Sequence, residues 1–155
     1  MSNTYSNTVK EVISISREEA QRLKSNTIVP EHLMLGIMRH GQNKVMAILK
    51  DLRVDVGGVQ RAMETAIKTE GEANKNGSKA KVGKLTDAMS FSKEAENILK
   101  AAGQEAILLH SKKVEVEHLL LSALKQKGIP MADVFSTFDV RYDNVISWIA
   151  KGHHD

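Results

Sequence analysis

Two Glu-His pairs, Glu31-His32 and Glu117-His118, are the residues of this sequence whose types could do chemistry. Histidine exchanges protons near neutral pH, and histidine with glutamate can bind zinc. A zinc-protease helix places a second histidine four residues after the first, and neither pair has one. We therefore expect structural or incidental roles, and no bound metal, for all six histidines: His32, His40, His110, His118, His153 and His154.

The segment from Gly77 to Leu85 superficially resembles a phosphate-binding loop. A Walker loop has four residues between its glycines and a serine or threonine after its lysine. Here five residues separate Gly77 from Gly83, and Leu85 follows Lys84. We interpret the segment as part of a lysine-rich linker and predict no ATP site within this chain.

Nucleophilic catalysis has no recognisable setting in this sequence. There is no cysteine, and no serine lies in a Gly-x-Ser-x-Gly turn. The acidic pair Glu18-Glu19 lies on what we interpret as an ordinary solvated helix face. We predict no catalytic residues, and so a protein that is not an enzyme in its own right.

The repeated acids Glu31 and Glu117 are the most informative residues, because each is predicted in the first turn of a helix. A carboxylate there stabilises a helix by about 0.3–1 kcal/mol, and this role alone would explain both residues. The same geometry would also suit a ligand, since free N–H groups at a helix start attract an anion while the carboxylate holds a guanidinium. A ligand that joins a guanidinium to a phosphate would match both groups.

The chain contains an internal duplication with an offset of 86 residues. When residue n is placed over residue n + 86, the two stretches match without a gap from Val9 to Met63. Both contain the cluster Glu-His-Leu-x-Leu at the same place, which indicates one structural unit written twice. Other identical pairs include Glu19/Glu105, Ala20/Ala106, Leu23/Leu109, Ser25/Ser111, Val54/Val140 and Val59/Val145.

Each half is predicted to form four short amphipathic helices, because its apolar residues recur at the spacing of one helix face. Pro30 and Pro130 suit first helical positions, while Asp55 and Ser92 suit helix caps. No segment has a convincing strand pattern. Four short helices cannot close a large core alone, so we predict an all-α fold of two tandem four-helix repeats packed with pseudo-two-fold symmetry.

Composition divides the chain into repeat 1 at about 5–68, a flexible linker at about 69–84 and repeat 2 at about 85–151. The net charge of +3 lies around the linker, since five lysines and two glutamates fall between Lys68 and Lys84. A nucleic-acid-binding protein carries basic charge on a folded face, so this class is disfavoured. The sequence has no apolar run of membrane-spanning length, and residues Met1 to Thr8 are polar and lack the apolar stretch of a signal peptide. We therefore expect a cytoplasmic protein that contacts no membrane.

Three motifs resemble those of a known family: Ser16-Arg-Glu-Glu-Ala-Gln-Arg-Leu23, Pro30-Glu-His-Leu-Met-Leu-Gly36 and Glu117-His-Leu-Leu-Leu121. They closely resemble the N-terminal domain of the Clp unfoldases, in particular of the ClpC and ClpB type, over about Tyr5 to Ala150. The resemblance implies a pseudo-two-fold, eight-helix domain. It also implies a module that captures substrates and adaptor proteins for an attached ATP-driven unfoldase ring, which threads them into a partner peptidase.

The resemblance further implies a phosphoarginine pocket, in which Glu31 and Glu117 would hold the guanidinium while the helix start holds the phosphate. Family members usually have Gly-Thr just before this glutamate, whereas this chain has Val29-Pro30 and Glu115-Val116. Both hydroxyls are absent, the proline lacks an N–H donor, and the additional glutamate repels an anion. These departures disfavour phosphoarginine, while docking of an adaptor or substrate depends less on them.

The favoured function is therefore substrate and adaptor binding by the N-terminal domain of an ATP-dependent Clp unfoldase, in protein quality control and regulated proteolysis. ATP and Mg²⁺ would belong to ATPase modules outside this chain, which we expect to be monomeric and without a cofactor. The alternative is a stand-alone Clp accessory or regulatory subunit, and the reading frame after Asp155 distinguishes the two. A metal-dependent hydrolase would contain stoichiometric zinc, and a helical nucleic-acid binder would show steep salt dependence.

Overall fold

The computed structural model describes residues 4–77 and 90–151, with side-chain detail for residues 4–68 and 90–151. This part of the chain forms eight helices and one two-stranded sheet, so the all-α class is confirmed. The strands are β1 (Thr4–Tyr5) and β2 (Lys113–Val114). The helices are α1 (Asn7–Arg22), α2 (Pro30–His40), α3 (Lys44–Asp51), α4 (Val56–Gly77), α5 (Lys93–Leu108), α6 (Val116–Lys125), α7 (Pro130–Thr137) and α8 (Tyr142–Ala150).

Local sequence chemistry sets most of the helix starts. Pro30 and Pro130 occupy the first positions of α2 and α7, as predicted. The Asp55 carboxylate accepts the Gly58 N–H at 3.1 Å, and the Ser92 hydroxyl oxygen accepts the Ala95 N–H at 3.1 Å. Each such cap stabilises its helix by about 1 kcal/mol. The predicted caps of α4 and α5 are therefore confirmed.

The two helical pairs α1–α2 and α5–α6 occupy equivalent places in the two repeats and pack into one shared core. α1 and α2 lie very close together at Gly36, where a Cβ atom would lie 2.4 Å from Ser16 Oγ and 2.8 Å from the Val12 carbonyl oxygen. The Ser16 hydroxyl donates to that carbonyl at 2.8 Å. In the second repeat, Ser122 of α6 donates to the equivalent carbonyl of Ile98 at 2.7 Å. The same carbonyl position therefore accepts a serine hydroxyl in both repeats. The serine lies on the first helix of the pair in repeat 1 and on the second helix in repeat 2.

Two short strand contacts join the repeats, and the sequence-based expectation of no strand is wrong in this detail. β1 pairs in parallel with β2, with Tyr5 opposite Val114. Ile28 and Phe91 form an isolated parallel bridge. Phe91 is the counterpart of Tyr5 and Val114 that of Ile28 at the offset of 86 residues. Each repeat therefore pairs the segment before its first helix with the loop between the first two helices of the other repeat.

This reciprocal pairing gives the repeats their predicted pseudo-two-fold relation. The Ser6 N–H donates to the Val114 carbonyl at 3.0 Å, and the Ser92 N–H donates to the Ile28 carbonyl at 2.9 Å. In an interface with two-fold symmetry, residue i meets residue j and the counterpart of j meets the counterpart of i. Both pairs of contacts follow that rule, so each repeat contributes one segment to each of the two strand contacts.

The fourth helix is longer than the sequence pattern predicts. α4 continues to Gly77, so the first nine residues of the predicted linker, 69–77, are helical. Residues 78–84 of that linker lie outside the described part of the chain. Among the described residues, none of the helices has the length and apolar character needed to cross a lipid bilayer.

Candidate functional site

Each of the predicted site residues, Glu31 and Glu117, lies at the second position of a helix and is followed by a buried histidine. His32 Nδ1 accepts the Val29 N–H at 2.9 Å, and His118 Nδ1 accepts the Glu115 N–H at 2.8 Å. The imidazole thus satisfies a backbone donor just before the helix. These two histidines hold the helix starts of α2 and α6, which is a structural role.

Burial keeps both imidazoles neutral. It lowers the pKa of His32 and of His118 from the ordinary value of 6.5 to about 4. The carboxylates of Glu19 and Glu105 act in the opposite direction, and Lys44 lowers the pKa of His118 further. Because Nδ1 of each ring already accepts a hydrogen bond from a backbone N–H, that nitrogen cannot act as a base.

The two glutamates have different surroundings although their motifs match. Glu31 is completely buried, with 0% of its surface exposed. The Glu117 side chain is 10% exposed, and its carboxylate lies 3.9 Å from the Lys44 Nζ atom. The counterpart of Lys44 in the other repeat is Pro130, which has no charge. Glu117 is therefore the acid that keeps some access to solvent, and it has a lysine nearby.

Burial also affects the charge on Glu117. It raises the pKa of this carboxyl, and the nearby Glu115 raises it further. The backbone N–H of Glu117 and the Lys44 ammonium oppose that shift. A ligand cation would act in the same direction as Lys44, because an opposite charge favours the carboxylate form.

A second group of polar residues lines a cleft between α1, α2 and α4, with a volume of about 620 Å³. Glu19 is only 5% exposed, so its predicted place on a solvated face is wrong. Its Oε1 atom lies 2.7 Å from Arg22 and its Oε2 atom 3.1 Å from Arg39. We call this the charged cleft, which is lined by Glu18, Glu19, Arg22, Leu35, Met38, Arg39, Gln60 and Glu64.

The second repeat has a smaller version of the same ion pair. Glu105, the counterpart of Glu19, is buried and lies 2.6 Å from Lys125 Nζ. The Tyr142 hydroxyl donates to Glu105 at 2.6 Å, and the Lys125 ammonium lies 4.9 Å from the centre of the Tyr142 ring. Glu19 and Glu105 are identical residues at the repeat offset of 86. This identity was the feature of the sequence from which the two buried ion pairs could have been found.

The described residues contain no group of three or more histidine, aspartate or glutamate side chains that could hold a metal ion. The charged side chains of the charged cleft and of Glu117 can form ion pairs and hydrogen bonds with a ligand.

Comparison with known proteins identifies the class. The model of the Clp repeat (R) N-terminal domain matches residues 4–135 and 90–151. A probable ATP-dependent Clp protease ATP-binding subunit from Chlamydia pneumoniae is 31% identical over 126 residues, which is 81% of this chain and 14% of that protein. The chaperone protein ClpB of Oceanobacillus iheyensis is 28% identical over 127 residues, with the same 81% and 14% coverage. The chain belongs to the Clp repeat (R) N-terminal domain family.

Solved structures agree in fold. The N-terminal domain of Hsp104 from Candida albicans superposes with a TM-score of 0.69 at 16% identity, covering 94% of this chain and 88% of that one. An identity this low supports the double-repeat fold alone. The chain spans only 14% of the length of each of these two sequence relatives. The part that it matches corresponds to their Clp N-terminal domain.

Proposed function

We propose that this chain is the substrate- and adaptor-binding N-terminal domain of an ATP-dependent Clp unfoldase, acting in cytoplasmic protein quality control and regulated proteolysis. The observation that carries the proposal is the family match across both repeats together with their reciprocal pairing. That pairing joins the two four-helix repeats into one folded unit. In this proposal ATP and Mg²⁺ bind to modules outside this chain, and the Clp peptidase is reached through those modules.

The positions of His32 and His118 support a function in binding rather than in catalysis. His32 and His118 are buried and engaged by backbone N–H groups, so neither is placed as a general base on Nδ1. A catalytic base must lie within hydrogen-bond reach of a substrate proton. A preformed helical surface is suited to holding a polypeptide while another module does mechanical work.

The proposal is tested by replacing the N-terminal domain of a ClpC-type unfoldase with residues 1–155 of this chain. Degradation of a permanently unfolded protein by the unfoldase and its peptidase is compared with that by the enzyme lacking the domain. We expect the chimera to degrade the protein faster at the same rate of ATP hydrolysis. Equal degradation rates at equal ATPase activity would contradict the proposal.

We further propose Glu117 as the stronger of the two predicted ligand contacts, because it retains solvent access and Glu31 has none. Phosphoarginine is the ligand that the family resemblance suggests for this position. A charge-assisted hydrogen bond contributes about 1.5–3 kcal/mol, so Glu117→Ala would weaken binding by about tenfold or more. Calorimetry with phosphoarginine, arginine and inorganic phosphate measures this, and Glu31→Ala is the matched variant in the other repeat. Absence of heat with wild-type protein would exclude phosphoarginine as the ligand.

A further inference from the structure

The charged cleft of the first repeat is open to solvent and combines an apolar floor with a charged rim. Leu35 and Met38 are buried and contribute its apolar lining. The side chains of Glu18 and Glu64 are 56% and 34% exposed. A cleft of about 620 Å³ has room for a long side chain with some of its backbone. Long basic side chains combine a methylene stem with a charged head. The stem matches the apolar floor of the cleft and the head matches its charged rim.

The charges that line the cleft do not balance. Three carboxylates and two guanidiniums give a net charge of −1. The buried Glu19 is fully engaged, since each of its oxygens faces one guanidinium, at 2.7 Å from Arg22 and 3.1 Å from Arg39. The excess negative charge therefore lies with the two outer acids, Glu18 and Glu64.

Each outer acid uses one oxygen for its contact with an arginine. Glu18 Oε1 lies 3.1 Å from Arg39, and Glu64 Oε2 lies 3.1 Å from Arg22. The second oxygen of each has no hydrogen bond to the side chains described for residues 4–68 and 90–151. A carboxylate has about four lone-pair positions, so both acids have capacity for another donor.

The second repeat keeps the buried ion pair but has no outer acids. There the buried Glu105 is balanced by one cation, Lys125, at 2.6 Å, with the Tyr142 hydroxyl also at 2.6 Å. At the offset of 86 residues, uncharged side chains replace both outer acids. The counterparts of Glu18, Arg22, Gln60 and Glu64 are Gln104, Leu108, Ile146 and Ala150. The excess negative charge is thus specific to the first repeat, in a chain whose two halves otherwise share their architecture.

We propose that the charged cleft binds a lysine or arginine side chain of the polypeptide that the domain captures. The methylene stem lies against Leu35 and Met38, and the cationic head pairs with Glu18 and Glu64. Arg22 and Arg39 remain on Glu19, because a buried carboxylate that lost its partners would carry a large desolvation cost. This inference rests on the proposed function, since it identifies one feature that a captured polypeptide would present.

The test uses the full chain and two 12-residue peptides of glycine, serine and alanine that carry either three lysines or three glutamates. Affinity is measured by titration of the backbone amide signals of ¹⁵N-labelled protein. We expect the lysine peptide to shift signals of α1, α2 and α4 that surround the cleft. The double variant E18Q/E64Q is expected to bind it about three- to tenfold more weakly, as two partly exposed ion pairs are lost. The control E94Q/E96Q removes the same charge from the exposed first turn of α5 and is expected to bind as wild type does.

Several results would overturn the inference. These are unchanged affinity of the lysine peptide for E18Q/E64Q, equal or tighter binding of the glutamate peptide at the cleft, or no binding of either peptide to wild type. A permanently unfolded protein is titrated in parallel to separate this inference from the proposed function. If it binds while the lysine peptide does not, the cleft proposal fails and the proposed function stands. If neither binds, both fail.

Discussion

Acid is expected to destabilise this domain through His32 and His118. Folding lowers the pKa of each imidazole from 6.5 to about 4 because both rings are buried. The unfolded chain therefore binds more protons than the folded chain as the pH falls below about 6.5, and stability is lost down to about pH 4. For one such group, linkage gives a loss of about 2 kcal/mol between about pH 7.5 and pH 5, or about 4 kcal/mol for both.

The assay is urea unfolding at these two pH values, followed by the fluorescence of Trp148. This residue is the one tryptophan of the chain, is 8% exposed, and donates to the Asp51 carboxylate of the other repeat at 2.6 Å. Its emission therefore reports on the contact between α8 and α3. The free energy of unfolding at each pH is obtained by linear extrapolation.

The variants His32→Asn and His118→Asn separate titration from packing. The asparagine Oδ1 atom can accept the same backbone N–H as Nδ1, but the side chain does not titrate. We expect each variant to be less stable at neutral pH and to lose about 2 kcal/mol less than wild type on acidification. His110→Asn is the matched control, since His110 is exposed and its positive φ of 58° suits asparagine.

Glu117 acts in the opposite sense, because burial raises the pKa of its carboxyl. The folded chain takes up that proton more readily than the unfolded chain, which offsets part of the loss. The quantity to compare is therefore the difference between wild type and each variant. If both asparagine variants kept the wild-type pH dependence, the account of the buried imidazoles would be refuted.

Two further predictions concern the packing and ion pairs of the repeats. Gly36→Ser alone places a Cβ atom 2.4 Å from Ser16 Oγ and 2.8 Å from the Val12 carbonyl oxygen, and we expect a loss of about 1–3 kcal/mol in urea unfolding. Adding Ser16→Ala copies the arrangement around Ser122 and is expected to recover part of the loss, because the overlap with Ser16 Oγ is removed while that with the Val12 carbonyl remains. No recovery would count against the shared hydrogen bond. Lys125→Met leaves the Glu105 carboxylate buried without its cation and is expected to cost about 2 kcal/mol by the same assay, whereas Lys125→Arg retains stability. A Lys125→Met variant as stable as wild type would show that this ion pair contributes nothing.

Features set by local chemistry could be predicted from the sequence. Pro30, Asp55 and Ser92 mark helix starts through their own backbone or side-chain geometry, independently of the rest of the fold. The repeat offset made the second half predictable from the first. The strands could not be predicted, because a two-residue pairing such as Tyr5 with Val114 exists only once the repeats have packed.

The sites depend on contacts between residues far apart in sequence, which motifs do not record. Glu18 and Glu19 are neighbours with the same chemistry, yet only Glu19 is buried, because Arg39 and the end of α2 cover it. Glu31 and Glu117 have matching motifs. One difference between them is that α3 of the opposite repeat brings Lys44 to Glu117, whereas the sequence counterpart of Lys44 is the uncharged Pro130.

The measurement that tests the central claim most directly is an equilibrium titration of the isolated chain with a fluorescently labelled protein held unfolded, read by anisotropy. The account predicts saturable binding at one site per chain, and weaker or no binding once the same labelled protein is folded. Binding that fails to saturate, or that does not distinguish the unfolded from the folded form, would contradict the claim that these paired repeats form a receptor for polypeptides.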